Sequence, residues 1–364
     1  MTVKQITNCI EEIAPLKDAE SFDNVGLLVG NYQTDVSKVL VSLDCTEDIV
    51  DEAIDSKAEL IVCFHPIVFK GLKRFNGNSY VERVVIKAIQ NNIAIYAMHT
   101  ALDNSPQGVN KRICDQIGIQ NPKILIPKKE NLYQLSFRVP HSHLEVVKTA
   151  LFKAGAGSIG AYDSCGFESE GKGSFRPLEN ANPYEGKTNE LSEVSELDYK
   201  VVLQNHQKSS VLKALFTSHP YEEVAYELIV LENENPHKGM GMIGELAEAL
   251  EEKEFLISLK DKMQTQLVRH SAMRDTKIKK VAVLGGSGVF ALQAAKSQGA
   301  DAFVSADFKY HDFFQAENQI LICDIGHYES EQFTKDLLVE HLKKNFPNFA
   351  VILSSKNTNP IHYI

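Results

Sequence analysis

At 364 residues, 43% hydrophobic and 24% charged, the chain is long enough for two domains that each bury a core, and its composition is that of a soluble folded protein. Lys+Arg number 38 against Asp+Glu 48, a net charge of −10, and no basic run or aromatic-interleaved basic stripe tracks a phosphate backbone, which argues against direct nucleic-acid binding. No apolar run reaches the length of a bilayer span, so no membrane association is expected and the expected address is the cytoplasm.

The opening "MTVKQITNCIEEIAPLKD" has the spacing of an amphipathic helix. "KVLVSLD" (38–44), "ELIVCF" (59–64) and "IAIYAM" (93–98) then read as short strands rich in β-branched residues. Each precedes a segment of helical spacing: "TEDIVDEAIDSK", "YVERVVIKAIQNN" and "GVNKRICDQIG". This alternation predicts a largely parallel or mixed sheet with covering helices.

From about residue 125 the grammar changes. Strand "LYQLSFRVP", helix "SHLEVVKTALFKAG", a loop-rich tract over about 155–195, strand "DYKVVLQN", helix "SSVLKALFTS" and strand "AYELIVLE" give a β-α-(β)-β-α-β order, a ferredoxin-like α+β unit inserted in the α/β one. "KKE" (128–130) and "ENENPHKGMG" (232–241) read as its entry and exit linkers. The α/β grammar then returns, with "KKVAVLGG", "DAFVSAD", "QILICDIG" and "FAVILSS" as strands and "VFALQAAKSQG", "HDFFQAEN" and "SEQFTKDLLVEHLKKNF" as helices. The fold class expected is α/β, two similar blocks (1–125 and 237–364) forming one domain around an insert at 126–236.

The six cysteines, Cys9, Cys45, Cys63, Cys114, Cys165 and Cys323, show no CxxC pair and read as reduced, mostly buried thiols.

Polar residues cluster at the ends of the predicted strands: His65 before Pro66, His99 and Asp103 in "YAMHTALDN", Asp307 and His311 in "SADFKYHDFF", His327 and Glu331 in "DIGHYESEQF". In open α/β sheets the carboxyl ends of the strands border the ligand crevice. Imidazoles and carboxylates converging there suit borderline divalent ions such as Zn, Fe, Mn, Co or Ni, with a carboxylate able to bridge two of them. His327 and Glu331, four apart, reach one side if a helix starts before His327; if it starts only at Ser330, the strand end and first turn must bring them together. Plainer roles stand beside these: a strand-stopping His65, a turn or cap at Asp103, a dipole-favoured first-turn Glu331. "GGSG" (285–288) reads as a tight turn rather than a phosphate cradle, and "HPYEE" (219–223) offers a second metal reading for His219 and Glu222, or a simple turn.

"SFDNVGLLVG", "SLDCTEDIVDEA", "FHPIVFKGLKRF", "MHTALDN", "SADFKYHDFFQAE" and "DIGHYESE" together resemble the NGG-interacting-factor-like family, many bacterial members of which are labelled GTP cyclohydrolase type-two homologues. "SHPYEEVAYEL" (218–228) resembles the PII- or CutA-like insert of the longer members. The resemblance implies a toroidal homohexamer with a divalent-metal site of one or two ions on His65, Asp103, His327 and Glu331, the last as bridge. It also implies His99 and His311 as proton carriers or supports near that site. The family has two adjacent histidines before the proline; here the first is Phe64, so one ligand is missing. Cys63 is a substitute only if the backbone turns, and is otherwise a buried structural thiol. The implied activity is a metal-dependent hydrolase that opens the guanine imidazole ring of GTP. A phosphodiesterase or phosphatase, or a non-enzymatic metal-binding regulator, fits the same donors.

Overall fold

The computed structural model describes residues 1–129 and 131–364. Its chain divides into two compact units, Met1–Pro127 with His237–Ile364, and Lys128–Pro236. Glu130, at the end of the expected entry linker, lies outside the described residues.

The first unit holds two sheets. In the five-stranded sheet Leu60–Cys63 lies between Lys38–Ser42 and Ala94–Ala97, all parallel, with Gly26–Val29 antiparallel on one edge and Ala350–Leu353 parallel on the other. The six-stranded sheet runs Arg269–His270, Leu321–Asp324, Ala302–Ala306, Lys277–Ser287, Asn235–Glu251, Ile119–Lys128. Its strands Lys277–Ser287, Ala302–Ala306 and Leu321–Asp324 are mutually parallel.

The two blocks exchange strands: Ala350–Leu353 completes the first sheet beside Lys38–Ser42, and Ile119–Lys128 joins the second. Strand membership is decided by which edge is open, which alternation along the chain does not encode. One expectation needs correction. The segment read as an exit linker is the start of the long strand Asn235–Glu251, whose glycines obscure the alternation.

Side-chain alternation puts each strand of the first sheet between two cores. Val39, Val41, Leu60, Val62 and Tyr96 pack with Ile6 and Ile10 of helix Val3–Ile13, Ile113 of Val109–Ile117, and Leu338 and Leu342 of Thr334–Asn345; Val281 and Val304 of the second sheet join the same cluster. Leu40, Ile61 and Ile95 pack on the other side with Ile49 and Val85 of helices Glu47–Ser56 and Tyr80–Gln90. Helix starts are chemically marked. Thr2 and Gln5 form a capping box, and the Ser79 hydroxyl accepts the Glu82 N–H at 3.3 Å.

The second unit is β-α-β-β-α-β: strands Leu132–Pro140, Gly166–Phe175, Ser192–Gln204 and Tyr226–Leu231, with helices Leu144–Lys153 and Lys208–Ser218. All its strand pairs are antiparallel, in the order second, third, first, fourth. Leu135, Phe137, Tyr199 and Val201 pack against Val147, Leu151, Val211 and Leu215 of the helices. The loop-rich tract thus contains a ten-residue strand, Gly166–Phe175, most of whose side chains are exposed. The expected helix "HDFFQAEN" is instead a 3₁₀ turn, Tyr310–Ala316. Among the described residues no helix is long and apolar enough to cross a membrane.

Candidate metal centre

Parallel strands end on a common edge, and backbone bonds tie the ends together. The Leu43 carbonyl accepts both the Phe64 and the His65 N–H, each at 3.0 Å, and the Phe64 carbonyl accepts the His99 N–H at 3.0 Å. Across the second sheet the Ser305 carbonyl accepts the Ile325 N–H, also at 3.0 Å. His65, His99 and the His327 turn are therefore placed by the sheets themselves, which suits a site that demands fixed geometry.

The helix expected near His327 begins at that residue and spans His327–Glu331, so the two groups share one helical face. Gly326 leads into it with φ 93°. Glu331 Oε2 lies 3.1 Å from His65 Nε2 and 3.3 Å from His327 Nε2, between imidazole rings whose centroids are 5.5 Å apart. His65, His327 and Glu331 thus bring donor atoms from both sheets within 4.8 Å of one another.

Behind each imidazole stands an aspartate. Asp44 Oδ1 is 2.8 Å from His65 Nδ1, and Asp307 Oδ2 is 2.7 Å from His327 Nδ1. Such a partner fixes the tautomer, leaving Nε2 to face the cluster, and raises its basicity. Thr358 in turn donates to the other oxygen of Asp44. Asp307 holds φ 60°, a left-handed conformation uncommon outside glycine, at the strand end from which it reaches His327.

Asp103 ends the short helix His99–Asp103 and is 8% exposed, with Oδ1 buried and unbonded. Burial, then the Glu331 charge, push its carboxyl well above the ordinary range, while His65 and His327 oppose the shift. Asn110 joins it to the second sheet, donating to the Asp103 carbonyl at 3.1 Å and accepting the Gly285 N–H at 3.0 Å. Gly286, with φ 67°, continues this contact: a Cβ there would stand 2.4 Å from Glu331 Oε1. Most of the "GGSG" belongs to the strand Lys277–Ser287 rather than to a tight turn, and its Gly285 and Gly286 form one wall of the cluster.

Burial of Glu331 favours its neutral acid, but the His65 charge and the close approach of both imidazoles outweigh this and hold its pKa down to about 2. Burial likewise disfavours the imidazolium forms. Glu331 and Asp44 nonetheless raise His65 to about 10, and Asp307 and Glu331 raise His327 to about 11. The pocket is built to hold positive charge beside Glu331.

His99 lies next to this set. Its Nδ1 is 2.9 Å from Asp23 Oδ1, whose carboxylate also accepts the Thr100 N–H at 3.0 Å, and its ring centroid is 5.4 Å from that of His65. Phe64 is fully buried, its ring 4.9 Å from His65 and 5.5 Å from His99. The position therefore contributes an apolar wall in place of a ligand. Cys63 does not replace it: its sulfur donates to the carbonyls of His65 and Tyr96, and its bond with Cys45, together with burial, holds the thiol well above its ordinary pKa. His311 sits exposed on the 3₁₀ turn, its ring against Tyr310 and Phe314. In the second unit, both ring nitrogens of His219 are engaged by backbone, the Arg138 carbonyl at 2.8 Å and the Tyr221 N–H at 3.1 Å. Glu222 accepts the Asn182 N–H at 2.8 Å. That pair is a turn, not a metal site.

The donors fit a divalent ion. His65 Nε2, Asp103 Oδ1 and Glu331 Oε2 are each buried with no hydrogen-bond partner, although the first and last are only 3.1 Å apart. The two face each other as an ion pair without an aligned hydrogen bond, so both groups can turn to a cation that takes the place of the proton. Two imidazoles and two carboxylates are the donor set of Zn, Fe, Mn or Co sites. Asp307 was among the strand-end residues expected to converge, though not as the partner of His327; Asp44, Asp23, Asn110 and Gly286 were not anticipated as parts of this arrangement. The signal available was an aspartate just past a parallel strand, in "SLD" and "SAD".

The sequence model of a family described as Duf34/NIF3 (NGG1p interacting factor 3) matches residues 1–360. A Staphylococcus epidermidis protein called "GTP cyclohydrolase 1 type 2 homolog" is 36% identical over 367 residues, covering 100% of both chains. A Halalkalibacterium halodurans protein with the same name is 38% identical over 364 residues, covering 99% of this chain and 98% of its own. The crystal structure of a Bacillus cereus protein related to NIF3 superposes with a TM-score of 0.87 at 34% identity, over 100% of this chain and 99% of the other. A Staphylococcus aureus protein follows at a TM-score of 0.76 and 31% identity, over 100% and 99%.

Proposed function

The chain belongs to the Duf34/NIF3 family, and from that premise we propose that it is a divalent-metal-dependent hydrolase acting on GTP. The observation that carries the reading is the set of buried, unbonded atoms on His65, Asp103 and Glu331 in contact with His327. Leaving such groups unpaired costs several kcal/mol unless a cation completes them. A divalent ion bound by these four residues would act as a Lewis acid and lower the pKa of a coordinated water.

The protein's own groups supply the rest. Asp44 and Asp307 keep His65 and His327 oriented through Nδ1. His99, oriented by Asp23, is the candidate for moving protons: it takes one as a first water adds to the imidazole-ring carbon of guanine and gives it to the ring nitrogen whose C–N bond breaks, leaving a formamide, and does the same for the amine that departs when a second water releases formate. Phe64, fully buried with its ring centroid 5.5 Å from that of His99, keeps water off that side. With Phe64 in place of a donor, the site holds one ion firmly. The names of the relatives support the choice of GTP. The family also supports a homohexamer, and the strand order of the second unit supports its reading as a PII- or CutA-like insert.

The test is GTP turnover by metal-stripped protein reloaded with Zn, Mn, Fe or Co, with products identified. Formate release that Glu331→Ala abolishes supports the reading. Stoichiometric binding without turnover of GTP refutes it and leaves a metal-binding regulator or another hydrolase.

A further inference from the structure

A second group of ligating side chains lies away from this centre. Cys9 and Glu12, three apart, share a face of helix Val3–Ile13, and His341 faces them from Thr334–Asn345; their donor atoms lie within 4.8 Å of one another. Cys9 Sγ is 3.4 Å from His341 Nε2. Two ligands at usual zinc–sulfur and zinc–nitrogen distances, about 2.3 and 2.05 Å, stand about 3.6 Å apart at a tetrahedral angle. The helices already meet through Ile6, Ile10, Leu338 and Leu342, so no rearrangement of the fold is needed to bring the ligands together.

We infer that Cys9, Glu12 and His341 form a separate site for a thiophilic divalent ion of the zinc class, with water in the fourth position, fastening the first helix to the last. Burial, then Glu12, push the Cys9 thiol up to about 11, so the metal-free group is neutral and its proton leaves as the ion binds. His341 Nε2, without an ion, donates to the Cys9 carbonyl at 2.8 Å; on binding, that nitrogen loses its proton and the imidazole keeps one on Nδ1. The inference is independent of the proposed activity, because neither helix contributes a donor to the first site.

Cobalt(II) is the probe. None of the four donors of the first site is sulfur, so a near-ultraviolet thiolate-to-cobalt charge-transfer band reports the second. Metal-stripped full-length protein is expected to develop this band saturably, and zinc to abolish it. Cys9→Ser and His341→Ala should lose it, the exposed Glu12→Gln should need more cobalt, and Glu331→Ala and Cys63→Ser should retain it. Zinc should also raise the Tm of Glu331→Ala but not of Glu331→Ala with His341→Ala. A wild-type protein without the band, or a band that survives Cys9→Ser, overturns the assignment. If Cys9→Ser does not fold, a band unchanged in both His341→Ala and Glu12→Gln overturns it equally.

Discussion

His65 Nε2 and Glu331 Oε2 stand 3.1 Å apart across the carboxyl ends of two different sheets, and no hydrogen bond joins them. Each has a rigid support behind it, Asp44 for the imidazole and the Gly286 wall for the carboxylate. The contact is held from outside, by supports that remain when a cation enters between the two groups.

Metal uptake should release protons. Before an ion arrives, burial works against both imidazolium forms but the adjacent carboxylates prevail, placing His65 at about 10 and His327 at about 11. Near neutral pH an ion must displace both protons, so its affinity rises with pH. Calorimetric titration in buffers of different ionisation enthalpy counts the protons; a count of zero contradicts the arrangement.

Without metal the same groups set an alkaline limit on stability. Histidine pKa values raised above the ordinary 6.5 contribute stability that is complete below that value and is lost as pH rises through about 10 and 11. Glu331, lowered to about 2 from 4.5, contributes stability present above 4.5 and lost as pH falls toward 2. Denaturant midpoints of stripped protein should therefore fall on both sides, and bound metal should remove the alkaline loss.

Asp44→Asn keeps the shape but not the charge behind His65. Metal affinity should drop about 10–100-fold while the fold survives, because Asp44 is a partner of the ligand rather than a ligand. His311→Ala should leave affinity unchanged. Competition with a chromogenic chelator measures both.

Gly286→Ala inserts a Cβ 2.4 Å from Glu331 Oε1 on a backbone at φ 67°. The strain should cost about 1–3 kcal/mol and displace Glu331, lowering stability and metal affinity together. A variant that matches wild type in both would remove Gly286 from the site.

Phe64→His places a donor beside His65 and His99. Metal content at the first site, measured by mass spectrometry of the native protein in the Cys9→Ser background, should rise from one ion toward two. An unchanged count means the ring faces the core whatever it is made of.

Much of the fold was legible because it rests on apolar runs. Val39–Val41, Leu60–Val62 and Phe303–Val304 are buried on both faces and read as strands without their surroundings. Gly166–Phe175 was expected only as an unplaced strand within the loop-rich tract, because "GFESEGKGSF" is an exposed edge with no alternation to detect. Asn235–Glu251 was masked by its proline and glycines. The strand-end residues His65, Asp103, His327 and Glu331 stood out by type and place. Asp307 stood out by place but without a role, and Asp44 did not, since an aspartate after a strand is equally a turn former and only the opposing imidazole distinguishes the two.

The placement of Ala350–Leu353 beside Lys38–Ser42 bears on how the protein comes into being. Thr358, which donates to Asp44, and Ser354, which donates to Glu52, lie 314 and 302 residues after their partners. Contacts so distant along the chain close last. Until that strand has been made and docked, the Lys38–Ser42 edge lacks its neighbour and Asp44 lacks its Thr358 partner, so a chain cut before Ala350 leaves an unpaired strand edge.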